Sequence, residues 1–395
     1  MTITAPSATT SLFSESEERQ ELRTQVAKLA GTYGREWFTA KARAGEKTTE
    51  LWLELGRNGY LGINVPEEYG GGGGGIGDIA AVCEELAAQG CPLLLMVVSP
   101  AICGTVISRY GTEAQKQRWL PGLCDGTATM AFAITEPDAG TNTHNITTTA
   151  RRDGDEWVLK GQKIWISGVD EADNVLVVAR TEDARTGKLK PVLLVVPTDA
   201  EGFEFHHIPV EMVSPEKQFQ VFIDDVRLPA DALVGDENGG LVQLFAGLNP
   251  ERIMAASFST GLARYALRQA TAYAKERTVF KAPIGSHQAI AHPLAQSHIE
   301  IEMARLMTQK AAALYDAGDE AAAGEAANMA KYAAAEAACD AADRAVQTHG
   351  GNGITQEYGM AGLLVATRAG RIAPVSREMI LNFVAMHSLG LPKSY

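Results

Sequence analysis

The sequence predicts an α+β multidomain fold: a helical domain over 14–130, an antiparallel, barrel-like β-domain over 131–238 and a helical bundle over 239–395. Three observations carry this. Apolar residues recur at helical spacing up to about Gly126, switch to period two from about Ala131, and return to helical spacing after about Gly240. Asp-Gly, Thr-Gly and Glu-Gly pairs separate most of the middle runs, with no helix between them, as an antiparallel sheet requires. The last third is rich in alanine, which lets long helices pack closely. At roughly 150 residues per domain, 395 residues also imply two or three domains.

In the first zone, "SESEERQELRTQVAKLAGTYGREW" sets Leu22, Val26 and Leu29 on one helical face. "GDIAAVCEELAAQG" predicts a helix that stops at Gly90, and "GTEAQKQRWLPGL" one capped by Thr112 and stopped by Pro121. The middle runs "DEWVLKGQKIWISG", "NVLVVARTE", "PVLLVVPTD", "GFEFHHIPV" and "KQFQVFIDDVRLP" predict strands. In the last zone, "NPERIMAASFSTGLARYALRQATAYAKERTVF" begins with Asn249 as a cap and Pro250 at the first position, so Glu251 falls in the first turn. Two further helices follow, "PLAQSHIEIEMARLMTQKAAALYDAG" and "DEAAAGEAANMAKYAAAEAACDAADRAVQTHGG".

Net charge is −13, from 35 Lys and Arg against 48 Asp and Glu, which argues against nucleic acid as the main partner. The five cysteines are odd in number and form no CxxC pair, so they predict small core residues, no disulfide framework or zinc site, and a cytoplasmic setting. "MTITAPSATTSLF" reads as a loose tail, and "CPLLLMVVSPAICG" is too short and broken to span a bilayer. Six consecutive glycines, Gly70 to Gly75, match a GxGxxG pattern trivially; no GK[ST] follows, and a turn explains them better than a phosphate cradle.

Two central segments carry candidate chemistry. "MAFAITEPDAGTN" reads as a strand running into a polar turn at Glu136-Pro137, with Thr135 and Thr141 able to hydrogen-bond a planar ring and a phosphate. In "GQKIWISG", period two puts Trp165 and Ser167 on one face. An aromatic beside a hydroxyl suits a flat redox heterocycle, and equally suits a barrel core.

These segments resemble the flavin-binding signatures of the acyl-CoA dehydrogenase family. "PEEYGG", "GTEAQKQRWLPGL", "DDVRLPADALVG", "ERTVFKAPIGSHQAI" and "QTHGGNGITQEYG" resemble further stretches of that family, in order and over nearly the whole chain. The resemblance implies a helical domain, a β-barrel-like domain and a four-helix bundle assembled as a homotetramer. It implies FAD, an acyl-CoA substrate and an electron-transferring flavoprotein as acceptor. Carried over, Ile134 and Thr135 meet the flavin edge, Thr141 its diphosphate region, Trp165 the ring face and Ser167 the reactive nitrogen. The family usually has Ser-Asp where this chain has Thr141-Asn142, so the hydroxyl is kept and the acid lost. From a neighbouring subunit, Arg277 meets the diphosphate, Phe280 and Gln288 the adenine side, and Gln347 and Gly351 the dinucleotide. A monomer then lacks part of its cofactor site.

The family reaction needs a carboxylate to take the α-proton of the thioester. Many members carry it in a C-terminal "YEGTxE" stretch, which aligns here with "APVSRE". Ser376 falls on the threonine and Glu378 on the second acid, while the catalytic position falls on Pro374, which neither takes a proton nor donates a backbone N–H. The isovaleryl and long-chain branch instead places the acid before an arginine on the first bundle helix. Glu251 precedes Arg252 in that place, which makes Glu251 the expected base, Arg252 a substrate contact and Glu378 the alternative base. An oxidase using dioxygen and a non-catalytic scaffold on the same fold are the competing readings.

Overall fold

The computed structural model describes residues 15–183 and 185–393. The N-terminal tail and Ser14, first residue of the expected helical domain, lie outside the described residues.

Helix α1 (Glu17–Ala44) starts where Ser16 Oγ accepts the Arg19 N–H at 3.2 Å, and ends on Gly45 in the left-handed region. After α2 (Thr49–Arg57), α3 (Ile76–Ala88) is buried on nearly every side. Two of its carboxylates, Glu84 and Glu85, are closed by Arg23 of α1 and Arg264, and Glu84 also by Arg305. The glycine run lies just before α3. All six of its N–H groups are spent internally, on Glu67, Pro66, Gly62, Val65, Ile63 and the Asp78 carboxylate. A Cβ at Gly71 would sit 2.0 Å from the Val65 carbonyl oxygen, so this is a packed turn with no donors left for phosphate.

The stretch around Pro100 forms a wide helical turn, Val97–Gly104, in the core, followed by α4 (Thr105–Tyr110). Among the described residues, no helix is long and apolar enough to cross a membrane. All five cysteines are buried and free. Helix α5 (Glu113–Asp125) is capped by Thr112, with Gln115 closing the capping box. It does not stop at Pro121: one lost N–H is tolerated where Trp119, Leu120 and Leu123 are buried around it.

The middle region holds β1 (Met130–Ala133), β2 (Thr149–Asp153), β3 (Glu156–Ser167), β4 (Asn174–Glu182), β5 (Leu189–Pro197), β6 (Phe203–Ile208), β7 (Gln218–Pro229) and β8 (Leu233–Val234). They form one sheet in the order β6-β7-β3-β2-β4-β5-β8, with β1 beside β4. The sheet is mixed rather than purely antiparallel, because β1 and β2 both meet β4 in parallel. Period two could not show this, since it reports faces and not strand direction.

The bundle comprises α6 (Gly240–Glu276), α7 (Gln288–Asp316), α8 (Glu320–His349), α9 (Met360–Ile372) and α10 (Arg377–Phe383). Buried alanines of α8, among them Ala327, Ala330 and Ala334, allow close packing on α6 and α7. Helix α6 begins nine residues before Asn249, so the expected cap is corrected: Asn249 is interior and its Oδ1 accepts from Arg252 Nη1 at 3.1 Å. Pro250 inside a helix leaves the carbonyl of Ala246 without its N–H. Tyr315 of α7 supplies the donor, its hydroxyl reaching the Ala246 oxygen at 2.9 Å.

Candidate active site

One cavity of about 2030 Å3 runs between the helical layers and the sheet. Its walls bring together Ile134, Thr135, Thr141, Trp165, Ser167, Glu251, Arg252 and Ser376 from four separate stretches of chain.

The polar turn after β1 is pinned from beneath. Lys163 of β3 is fully buried; its Nζ donates to Glu136 at 2.9 Å and to the Ile134 carbonyl at 3.0 Å. Glu136 also accepts from the Thr147 and Thr148 N–H groups at 2.6 and 3.0 Å. Burial alone would raise the Glu136 carboxyl; Lys163 and these hydrogen bonds outweigh it and hold it at about 2. Burial pulls the Lys163 amine down to about 8 against the pull of Glu136, so the pair stays ionised at neutral pH.

Register between β3 and β7 shifts between Lys163 and Ile166, and Trp165 sits in that bulge with φ 61. The bulge turns the indole out of the sheet, leaving it 53% exposed on the cavity wall. Ser167 lines the same cavity, its Oγ held by the Gln218 amide at 3.0 Å. Among the described residues, neither Thr135 nor Thr141 has a side-chain partner in the protein. An open aromatic face, two unspent hydroxyls and this much space fit a flat, phosphate-bearing cofactor such as FAD.

Glu251 points into the cavity from the middle of α6. It is half-buried by accessible surface, and that surface belongs to the cavity wall. Burial pushes its carboxyl up to about 7, against the opposing pull of Arg252 and Lys331. A helix N-terminus would hold this carboxyl down, but α6 starts eleven residues earlier. A carboxyl poised near neutrality suits proton abstraction.

Ser376 caps α10, accepting the Met379 N–H at 3.4 Å. Glu378 faces away from the cavity with its side chain 71% exposed, beside Arg377 at 3.4 Å. The remaining expected residues, Arg277, Phe280, Gln288, Gln347 and Gly351, are exposed and do not line this cavity. Arg277 lies 26 residues beyond Glu251, past the end of α6, about 39 Å away at 1.5 Å per residue. Phe280 is 90% exposed. None of these five reaches the cavity of its own chain.

Sequence reasoning passed over Lys163 and Lys331, and took Glu136 only as the mark of a turn. A lysine inside the alternating run of β3, and another at the buried spacing of an alanine helix, were the available signals. Lys331 is 1% exposed, between Ala330 and Ala334 on the buried side of α8. Among the described residues, no His, Cys, Asp or Glu cluster could hold a metal ion.

Mixed sheet between helical layers, an aromatic-walled cavity and a half-buried carboxyl on its wall define a flavin-type oxidoreductase site. The family models for the N-terminal, middle and C-terminal domains of acyl-CoA dehydrogenase match residues 16–127, 131–226 and 238–389. The chain belongs to the acyl-CoA dehydrogenase family, which is FAD-dependent. It is 64% identical over 383 residues to acyl-CoA dehydrogenase FadE12 of Mycobacterium tuberculosis, covering 97% of this chain and 99% of the relative. The glutaryl-coenzyme A dehydrogenase–glutaryl-CoA complex superposes with a TM-score of 0.91 at 30% identity, over 96% of this chain and 97% of that one. A glutaryl-CoA dehydrogenase from Mycobacterium smegmatis, in complex with FADH2, gives 0.88 at 28% identity, over 96% of each chain.

Proposed function

We propose that this chain oxidises an acyl-CoA thioester to the 2-enoyl-CoA, with Glu251 as the base. The observation that carries the role of Glu251 is a carboxyl raised to about 7 on the wall of the cavity that holds Trp165 and Ser167. Glu251 takes the α-proton, and the electron pair of that C–H bond becomes the new double bond. The β-hydrogen leaves with its own pair, and bound FAD supplies the two-electron acceptor for it. Ile134, Thr135 and Thr141 orient the flavin edge and diphosphate, Trp165 covers the ring face, and Ser167 and Ser376 hydrogen-bond near it. Arg252 holds the substrate next to Glu251. Glu378, outside the cavity wall, stands in the neighbourhood of the dinucleotide.

Arg277, Phe280, Gln288, Gln347 and Gly351 complete the FAD site of a neighbouring copy in a homotetramer. Their exposure and their distance from their own cavity support this reading. The domains divide at 130/131 and 238/239. Electrons pass to an electron-transferring flavoprotein, and the protein works in cytoplasmic fatty acid metabolism. No observation favours an oxidase or a scaffold, and a base facing the cavity speaks against the latter.

The test is anaerobic titration of the flavin-loaded protein with straight, branched and cyclic acyl-CoAs, followed by flavin absorbance. Bleaching by one class supports the reading; no bleaching by any class contradicts it.

A further inference from the structure

One wall of the cavity carries an arginine that has no counter-charge. Arg35 of α1 lines it, together with Phe38, Leu94, Val98 and Leu262. Arg35 Nε and Nη1 are shut off from solvent and make no hydrogen bond. Its guanidinium carbon lies 5.5 Å from the Phe38 ring centroid. The groups acting on its charge are Tyr265, Cys91 and Arg43, none of them a carboxylate, and burial works against the charged form. Arg23 on the same helix and Arg264 on α6 are treated differently: both close on Glu84 and Glu85. A guanidinium buried without a partner is costly, and it keeps its charge because its pKa is so high. Such a group makes sense where a ligand completes it.

The cavity shows which ligand. Glu251, Ala255, Phe258 and Leu262 line it from one face of α6, at spacings of four, three and four residues. The eleven residues from Glu251 to Leu262 span about 16 Å. Leu94, Val98, Ala255 and Phe258 give the cavity apolar wall surface. An acyl chain whose α-carbon lies at Glu251 therefore meets apolar walls and, in the same cavity, a cation two of whose nitrogens are shut off from solvent without a partner. A terminal methyl would leave that cation unpaired. A terminal carboxylate would meet a planar fork suited to two parallel hydrogen bonds.

We propose that the acyl group is the monothioester of an α,ω-dicarboxylic acid, its free carboxylate bound by Arg35. The proposal rests on the dehydrogenase reading above. The ω-carboxylate is a spectator: the same α- and β-hydrogens leave, and no carbon–carbon bond breaks.

The experiment compares two series of acyl-CoAs of increasing length, one methyl-terminated and one ω-carboxylated, by anaerobic flavin bleaching and KM. In wild type, the ω-carboxylated chain of matching length should have a KM at least about tenfold below its methyl-terminated counterpart. Arg35→Met should abolish or invert that ratio, and Arg35→Lys should keep part of it. The wild-type ratio needs no variant, so a misfolded substitution does not block the test. Equal or better use of methyl-terminated chains at every length overturns the assignment to Arg35, as does a carboxylate preference that survives Arg35→Met. Bleaching by methyl-terminated chains alone contradicts only the Arg35 proposal. No bleaching by either series contradicts the dehydrogenase reading as well.

Discussion

Lys331 Nζ of α8 donates a 2.7 Å hydrogen bond to the carbonyl oxygen of Val375, and its charge acts on Glu251. Val375 follows the position where "YEGTxE" relatives carry their acid and this chain carries Pro374. One buried amine thus ties the altered C-terminal segment to the environment of the carboxyl on α6. Burial pulls Lys331 down to about 8, with Glu251 pulling it back up.

This relationship gives the first prediction. Lys331 lowers the Glu251 pKa, so its removal must raise it. In Lys331→Met, the rise of flavin reduction rate with pH should move to higher pH, while Lys331→Arg keeps the limb near its original place. A purely structural lysine would lower the rate at all pH values without moving the limb.

The Glu136–Lys163 pair gives the second. Glu136 is held at about 2 in the folded chain, below its ordinary 4.5. Its contribution to stability is therefore present above about pH 4.5 and lost as pH falls towards 2. Lys163→Met leaves a buried carboxylate unpaired and should cost about 3–5 kcal/mol by denaturant unfolding at neutral pH. Because Lys163 also holds the Ile134 carbonyl, flavin retention should fall with it. The double variant Lys163→Met with Glu136→Gln should recover part of the stability.

Glu216 behaves in the opposite sense. It is 2% exposed and accepts from the Ser214 hydroxyl at 3.0 Å and the Leu95 N–H at 3.4 Å. Burial pushes it from 4.5 up to about 7. A carboxyl with a raised folded pKa favours the native state below about 4.5, and that advantage is lost as pH rises through 7. Glu216→Gln should therefore raise the melting temperature at pH 8 by a few degrees and do nothing useful at pH 4.

Much of this molecule was legible as periodicity. The strand Asn174–Glu182 coincides with "NVLVVARTE", and the Thr112 cap, the helix Glu320–His349 and the buried cysteines follow from local chemistry. Tertiary partners were not legible. Helix α6 continues through Pro250 because Tyr315, 65 residues on, replaces the missing donor. The parallel pairing of β1 with β4 leaves no trace in alternation. Pro374 pointed to Glu251 by elimination through the family pattern, yet the raised pKa of that carboxyl depends on an enclosing cavity that no single segment encodes. Helical spacing places Arg35 on α1 but says nothing of Cys91 and Tyr265, the distant groups that surround it.

The most direct test of the central claim is the anaerobic reduction rate of wild type beside Glu251→Gln with an acyl-CoA that bleaches the flavin, measured across pH. The account predicts a wild-type rate that climbs with pH through about 7 and then levels. It predicts a variant that binds the same acyl-CoA but reduces at least about a hundredfold more slowly at every pH. Equal bleaching by both proteins would contradict it and place the base elsewhere, with Glu378 the next carboxylate to replace.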